Sequence, residues 1–359
     1  MKGKVMQKPF TGLHFELTNQ CNLRCTHCYN IDYLDSSDDD IDIKTIKKII
    51  DKSLEIGCRD IGFSGGEPFM RKDIMELITY SKDHPIHILT NGMLISQKII
   101  DELNAVKDLL IEFRISIDGL ESHKNIRGVP YKYALNGVKR LLDNGYVTTI
   151  NTMITNENID ELMEMYDLFK DMGVDRWRLG FIFGQGNASK NSLKFDGTKE
   201  QFFKIKALIV KHMKEPEVFE LDVSKLYRSG IFEGAHLVQY DLDSRPCSYQ
   251  GALTVRPNGD VTYCPSLDIS YGNILTDPID KILNNPEWLK VYNFTPRQLP
   301  QKCQKCEFLK YCGGGCRADS YYDTNNLYSY SELTCKLAEF YAHEIYPLVS
   351  PIMPEPFII

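Results

Sequence analysis

Cysteine spacing constrains this chain more than any other feature, because ten of its eleven cysteines fall into two blocks. The first block is a C-x3-C-x2-C motif after the apolar run Leu13–Leu17, and the second includes C-x2-C-x5-C-x3-C. Sites rich in thiolates select zinc or iron–sulfur clusters over hard metals. Three thiolates on one short loop can hold three irons of a cubane and leave the fourth open. The blocks are Cys21, Cys25 and Cys28 (the N-terminal cysteine triad), and Cys247, Cys264, Cys303, Cys306, Cys312, Cys316 and Cys335.

Bulk properties exclude several classes of protein. The net charge of −7 and the absence of a basic stripe argue against a general nucleic-acid binder. No run approaches 18 apolar residues and the N-terminus lacks an apolar core, so neither a membrane span nor a signal peptide is expected. The sequence therefore predicts a cytoplasmic protein, where disulfides are disfavoured and metal ligation explains the cysteines better. The isolated Cys58 is interpreted as a buried apolar filler.

Short β-branched runs alternate with amphipathic stretches between residues 13 and 213. This alternation predicts a parallel α/β sheet with right-handed crossovers. At 359 residues two domains are expected. The predicted organisation is an N-terminal extension (1–12), an α/β domain (13–214), a bridge (215–246) and a cysteine-rich domain (247–359). The predicted strands are Leu13–Thr18, Asp60–Ser64, Ile86–Thr90, Phe113–Ile117, Thr148–Ile154 and Trp177–Ile182.

Polar residues follow four of these strands in turn. The N-terminal cysteine triad comes after the first, Gly65, Gly66 and Glu67 after the second, Asn91 after the third, and Ser116 with Asp118 at the end of the fourth. Ligands of such folds bind at the carboxyl edge of the strands, so these residues are expected to converge. The Gly-rich segment near residue 184 is interpreted as an active-site loop, and Asn258-Gly259 as a hairpin turn.

The first block resembles the signature of the radical S-adenosylmethionine (radical SAM) superfamily. The resemblance implies a partial (β/α)6, TIM-like barrel with a [4Fe-4S] cluster on the N-terminal cysteine triad, whose fourth iron is chelated by S-adenosylmethionine. Reductive cleavage of this cofactor would give a 5′-deoxyadenosyl radical. Cofactor contacts are implied for Gly65, Gly66, Glu67, Asn91, Ser116 and Asp118, with Arg140 a weaker candidate. The alternative is a structural zinc site with His27 as fourth ligand.

The second block resembles the SPASM domain, which carries two auxiliary [4Fe-4S] clusters. The resemblance places Cys303, Cys306, Cys312 and Cys335 (the auxiliary quartet) on one cluster, and Cys247, Cys264 and Cys316 (the auxiliary trio) on the other. Unlike the related sulfatase maturases, this chain has no cysteine between Cys58 and Cys247 to complete the trio. The fourth iron is either open, bound by substrate, or held by Asp241 or Asp243, with Asp241 favoured. Paired structural zinc ions are the alternative.

Together these resemblances imply an oxidoreductase with three [4Fe-4S] clusters and S-adenosylmethionine. A peptide is the expected substrate, modified by cross-linking, thioether formation or epimerisation. No room is left before residue 13 for a peptide-recognition domain, so a separate protein would present the peptide, or the substrate is smaller. A reduced flavodoxin- or ferredoxin-type protein is the expected electron donor. The alternatives are a porphyrinoid side-chain decarboxylase of a haem pathway and a non-catalytic iron–sulfur or zinc scaffold.

Overall fold

The structure is a computed structural model that describes residues 12–36, 40–230, 238–247 and 252–350. The predicted N-terminal extension therefore lies, apart from Gly12, outside the described residues. The helices are α1 Ile43–Glu55, α2 Ile74–Tyr80, α3 Gln97–Asn104, α4 Glu121–Arg127, α5 Lys132–Asp143, α6 Leu162–Met172, α7 Asn187–Lys190, α8 Lys199–Lys214, α9 Ile279–Leu283, α10 Pro286–Tyr292, α11 Gln301–Gln304, α12 Leu309–Cys312, α13 Arg317–Thr324, α14 Glu332–Phe340 and α15 Tyr346–Val349. Short 3-10 turns lie at Pro68–Met70 and Pro296–Gln298, and a π-helical turn at Tyr341–Ile345 joins α14 to α15.

The strands of the described residues form one sheet of eleven. Neighbouring strands run parallel from β1 to β7, and β9 also pairs in parallel with β1. The β7–β8, β9–β10 and β10–β11 pairs are antiparallel. The strands are β1 Gly12–Glu16, β2 Asp60–Ser64, β3 Ile86–Thr90, β4 Ile111–Ser116, β5 Val147–Ile154, β6 Arg176–Phe181, β7 Glu220–Val223, β8 Tyr227–Arg228, β9 Ala252–Val255, β10 Asp260–Thr262 and β11 Ser270–Asn273.

The α/β architecture predicted from the sequence is confirmed, but the sheet is wider than six strands. Strands β7 and β8 arise from the segment 215–246, which is therefore more than a bridge. On the other side, β9 comes from the cysteine-rich region and pairs with β1, with Leu13 opposite Leu253. The two regions thus share one continuous sheet, and their boundary is a hydrogen-bonded strand pair rather than a linker.

Alternation along β4 explains how the sheet divides its side chains. Ile111, Phe113 and Ile115 are buried in the apolar core, whereas Glu112 and Arg114 belong to a polar network. Arg176 adds a second cation to Glu112. Buried carboxylates need such partners because desolvation of an unpaired charge is costly. This network lies on the face of β4 opposite the apolar side chains.

Local sequence signals account for the ends of the helices. The Asp42 side chain caps α1 by accepting hydrogen bonds from the backbone N–H groups of Lys44 and Thr45. Helix α6 ends at Gly173, whose φ of 71° lies in the left-handed region that favours glycine. No helix in the described part of the chain is long and apolar enough to cross a membrane.

Candidate functional site

The N-terminal cysteine triad lies on the loop that leaves β1, and the glycine loop after β2 packs directly against it. Backbone N–H groups of Gly66 and Glu67 donate to the carbonyls of Thr18 (2.6 Å) and Gln20 (2.8 Å). A Cβ atom added to Gly66 would lie 2.2 Å from the Gln20 carbonyl oxygen. The glycine is therefore needed for close approach of two protein loops.

Two further segments hold the cysteine loop from other sides. The Asn187 side chain at the start of α7 donates to the Cys25 carbonyl (2.9 Å), and the Asn187 backbone donates to the Cys28 carbonyl (2.9 Å). The Thr26 backbone donates to the Ile126 carbonyl in α4 at 2.8 Å. The Gly-rich loop near residue 184, interpreted as an active-site loop, thus contributes a helix that fixes the position of the cysteines.

A cavity of about 160 Å³ opens at this edge of the sheet and brings together most of the predicted site residues. The predicted residues that line it are the N-terminal cysteine triad, Gly65, Gly66, Glu67, Asn91 and Ser116. Tyr29, His27 and Arg127 line it as well. Residues from four consecutive strand ends, β1 to β4, therefore converge, as predicted from the sequence.

The Glu67 carboxylate is fully buried and accepts hydrogen bonds from three groups of the protein. It accepts hydrogen bonds from the Thr90 hydroxyl (2.6 Å) and from the backbone N–H groups of Asn91 (2.8 Å) and Phe69 (3.2 Å). Burial nevertheless raises the pKa of Glu67 above its ordinary value, because these bonds only partly offset desolvation. The carboxylate is thus held in one orientation at the cavity wall.

Asp118 differs from its predicted role as a direct cofactor contact. Its side chain is fully buried and is absent from the cavity lining. One carboxylate oxygen accepts from the Arg127 Nε (2.6 Å), and the other accepts from the Met153 backbone N–H (2.7 Å). Burial alone would raise the pKa of Asp118, but the Arg127 charge lowers it, so the group stays ionised. The structure therefore makes Asp118 a partner of Arg127.

Arg127 is the site residue that sequence reasoning missed. Its Nη1 lies 3.8 Å from the Cys25 sulfur, and its Nη2 lies 3.4 Å from the His27 Nε2. Arg140, the earlier candidate, instead binds the carbonyls of Ile95 and Asn136 away from the cavity. The available signal for Arg127 was weak, since an arginine just before the helix-ending Gly128 is typical of any helix C-terminus.

Electrostatic coupling divides the ten cysteines into three groups. Burial, together with the neighbouring Cys25 and Cys21, raises the pKa of Cys28 to about 12. The pKa of Cys335 is raised to about 11 by burial and then by Cys312, Cys303 and Cys306. Burial raises the pKa of Cys264, and so do Cys316 and Cys247. These neighbourhoods match the triad, the quartet and the trio expected from the resemblance.

The donor sets fit iron–sulfur clusters and a polar cofactor. Within the described residues, no three His, Cys, Asp or Glu side chains converge on one point as a single metal ion requires; a cubane instead takes one thiolate per iron. Buried polar atoms without a hydrogen-bond partner lie beside the cysteine loop, namely His27 Nδ1, Asn30 Oδ1 and the Gln185 amide. Buried polar groups normally have partners, so this is where a polar cofactor fits.

Cys58 is buried in the apolar core, as predicted, and its thiol donates to the Gly12 carbonyl.

Neither Asp241 nor Asp243 is among the main charges that shift the pKa values of Cys264 and Cys316. Asp241 is exposed, and its Oδ1 accepts from the backbone N–H groups of Asp243 and Ser244 and from the Ser244 hydroxyl. Asp243 pairs with Arg297. The carboxylate that acts on Cys316 is Asp319, which together with burial raises the pKa of that thiol to about 12. The structure does not support Asp241 as a ligand of the trio, because its carboxylate is committed to a local turn.

Family models match both regions of the chain. The radical SAM superfamily model matches residues 15–169, and an iron–sulfur cluster-binding (SPASM) model matches residues 247–307. This chain is a radical SAM enzyme with a C-terminal SPASM domain. Its cofactors are [4Fe-4S] clusters and S-adenosylmethionine.

Curated relatives of this radical SAM enzyme include a heme synthase and a bacteriocin biosynthesis protein. The AdoMet-dependent heme synthase of Methanosarcina barkeri is 27% identical over 87% of this chain and 92% of its own length. The antilisterial bacteriocin subtilosin biosynthesis protein AlbA of Bacillus subtilis is 25% identical over 87% of this chain and 69% of its own length.

A solved structure shares the fold of the radical SAM and SPASM domains. SuiB of Streptococcus suis, bound to S-adenosylmethionine, superposes with a TM-score of 0.71 at 19% identity, covering 91% of this chain and 77% of SuiB. The same protein has been solved bound to its precursor peptide SuiA.

Proposed function

We propose that this enzyme binds S-adenosylmethionine at a cluster held by the N-terminal cysteine triad and modifies a peptide substrate. The observation that carries the first part is the single cavity lined by the triad, the glycine loop, Asn91 and Ser116. When bound, cluster and cofactor supply one-electron chemistry that removes a hydrogen atom from substrate. The chain's own residues bind and orient them.

Four side chains are assigned roles at this cavity. Glu67 offers a fixed carboxylate for the ammonium of the methionyl group, and Ser116 offers a hydroxyl at the end of β4. The Arg127 guanidinium offsets negative charge near Cys25 and can pair with the methionyl carboxylate. Asn91 is a positioning residue, because its amide donates to the Asn22 side chain on the cysteine loop at 2.8 Å.

The auxiliary quartet and the auxiliary trio are each assigned one further [4Fe-4S] cluster, which gives three clusters per chain. Their electrostatic grouping supports this division. A reduced flavodoxin- or ferredoxin-type protein is the proposed electron donor.

Charge pairing at the carboxyl edge of the sheet supports a peptide over a porphyrinoid with several carboxylates. Anchoring several carboxylates requires several available cations. Arg127 is assigned to the cofactor, Arg256 already pairs with Asp268, and Lys225 pairs with Asp319. Within the strands, away from their carboxyl ends, Arg114 and Arg176 pair with Glu112, and Arg178 pairs with Asp222.

A second cavity also supports a peptide. It measures about 460 Å³ and lies between the end of β6 and the C-terminal helices α13 and α14. Its walls are largely apolar, with Phe181, Phe195 and Leu337 among them, and Lys225 and Asp319 lie together in the lining. A short peptide segment with apolar side chains suits this lining.

Decarboxylation or trimming of a porphyrinoid is the second candidate, and the match to the Methanosarcina barkeri heme synthase favours it. The two candidates leave different products: decarboxylation releases carbon dioxide, whereas a peptide cross-link removes hydrogen only. The test is anaerobic turnover with S-adenosylmethionine and a strong reductant, offered either an iron porphyrinoid carrying propionates or a panel of short peptides.

The readouts are substrate-dependent formation of 5′-deoxyadenosine and the mass of the product. The proposal is supported if a peptide stimulates 5′-deoxyadenosine formation and its own mass changes. It is also supported if the peptide keeps its mass in ordinary water but takes up deuterium when the reaction is run in heavy water. Stimulation by the porphyrinoid alone, with loss of carbon dioxide, would overturn the peptide assignment.

A further inference from the structure

Helix α13 begins directly after a ligand of the auxiliary trio, and its first turn carries a carboxylate. Cys316 is the N-cap of α13, and Asp319 lies three residues later. Residues three apart in the first turn of a helix lie on the same face. The spacing Cys316-x2-Asp319 repeats the C-x2-C spacing of Cys25 with Cys28 and of Cys303 with Cys306.

Both parts of Asp319 act on the Cys316 sulfur. Its backbone N–H donates to the sulfur, and its carboxylate is the nearby charge with the largest effect on that thiol. The Asp319 side chain is 17% exposed, and one of its oxygens lies 3.1 Å from the Lys225 Nζ. Lys225 also reaches the Thr334 hydroxyl at 3.1 Å. Asp319 is thus held beside Cys316 by its place in the first turn of α13 and by its ion pair with Lys225.

We propose that Asp319, rather than Asp241, supplies the non-cysteine ligand that completes the cluster of the auxiliary trio. The proposal rests on the assignment of that cluster to Cys247, Cys264 and Cys316. A carboxylate in place of a fourth thiolate closes the open iron and sets the reduction potential through ligand type. The Lys225 ammonium then offsets the charge that the ligand adds.

Three variants of Asp319 test the ligand directly. They are made in a background where alanine replaces all three residues of the N-terminal cysteine triad, so that the reactive cluster is absent. Asp319→Asn should shift the electron paramagnetic resonance g-values and the midpoint potential of the trio's cluster. Asp319→Cys should retain the cluster, with a more negative potential, because a thiolate replaces the carboxylate. Exogenous cyanide should perturb the signal of Asp319→Ala and leave the parent signal unchanged.

Matched controls separate ligation from local structure. Asp323→Asn changes an acid one turn further along the same helix, and Asp241→Asn changes the earlier candidate; both should keep the parent spectrum. Lys225→Met breaks the ion pair but leaves the carboxylate, so it should shift the potential without creating a cyanide-sensitive iron. If cyanide perturbs Lys225→Met as strongly as Asp319→Ala, the Asp319 effect is structural and ligation is excluded.

The outcomes distinguish the two proposals. Iron corresponding to the auxiliary quartet's cluster alone in the parent background would overturn the three-cluster assignment itself. Two auxiliary clusters with unchanged spectra in Asp319→Asn and Asp319→Cys would refute Asp319 while leaving that assignment in place. A cyanide-sensitive parent would show that the iron is open to substrate.

Discussion

Removing the charge of Asp118 should impair S-adenosylmethionine cleavage through Arg127 and not by loss of a cofactor contact. The Asp118–Arg127 pair joins atoms 2.6 Å apart, with side chains 0% and 11% exposed. In Asp118→Asn only one oxygen remains, so the new amide must face either the Arg127 Nε–H or the Met153 N–H. Leaving one member of a buried pair without its counter-charge costs roughly 3–5 kcal/mol.

A double-mutant cycle with Asp118→Asn and Arg127→Gln measures how the two residues cooperate. Residues in direct contact couple by up to about 3 kcal/mol, which is roughly 150-fold in a rate. We expect Asp118→Asn to slow 5′-deoxyadenosine formation strongly in the parent and by less than about threefold once Arg127 is glutamine. The assay is anaerobic turnover with excess reductant, with iron content measured for each variant.

Glu161→Gln is the control for a general loss of rigidity in the loop between β4 and α4. Glu161 accepts from the backbone N–H groups of Leu120 and Ser122, just after Asp118, without contacting Arg127. Its removal should leave the coupling between Asp118 and Arg127 intact. Strictly additive effects of Asp118→Asn and Arg127→Gln would refute this reasoning and restore Asp118 as a direct cofactor contact.

Three further outcomes are expected. Replacing the N-terminal cysteine triad with alanine should remove one cluster and abolish 5′-deoxyadenosine formation while the auxiliary spectra survive; residual reductive cleavage would contradict the assignment. Gly66→Ala should disrupt the cysteine loop, because its Cβ would meet the Gln20 backbone at 2.2 Å, whereas Gly184→Ala, with open space around it, should be tolerated; equal iron incorporation would argue against this packing. For Glu112, burial would raise the pKa but Arg114 and Arg176 lower it to about 2 from 4.5, so it adds about 3 kcal/mol of stability above pH 4.5 that is lost as pH falls towards 2. Urea unfolding of metal-free Glu112→Gln should show that deficit at pH 7 and a smaller one at pH 3.

Much of the α/β domain was predictable because strand and helix periodicities differ clearly there. Asp60–Ser64 and Ile86–Thr90 match the predicted bounds, and the other four predicted strands differ by two residues at most. The hairpin predicted at Asn258-Gly259 is confirmed, since β9 and β10 pair in antiparallel orientation on either side of it. Strand β7 was harder because it has only four residues, and the local pattern could not identify β1 as the second partner of β9. Pairing of β9 with β1 depends on contacts between distant parts of the sequence.

Side-chain direction limited the prediction of the site. Ser116 ends β4 and lines the cavity as expected, but the strand stops there and Gly119 turns the chain with a φ of 149°. Asp118 lies beyond the end of β4, so the alternation of side chains along the strand does not predict its direction. Its carboxylate accepts from the Met153 backbone N–H. Asp319, the proposed ligand, was not identified from the sequence, because a carboxylate at C-x2-D spacing carries little signal without knowing that α13 starts at Cys316.

Pairing of β1 with β9 has a consequence for how the chain folds during synthesis. Gly12 lies opposite Ala252, so the edge of β1 that pairs with β9 stays uncovered during synthesis until residues 252–255 have been made. Such non-local pairing slows folding, and an uncovered strand edge is a template for association between nascent chains. The radical SAM domain can therefore complete its sheet only after the β9–β10 hairpin of the SPASM domain has been made. Truncation before residue 252 is expected to yield aggregates instead of a smaller active enzyme.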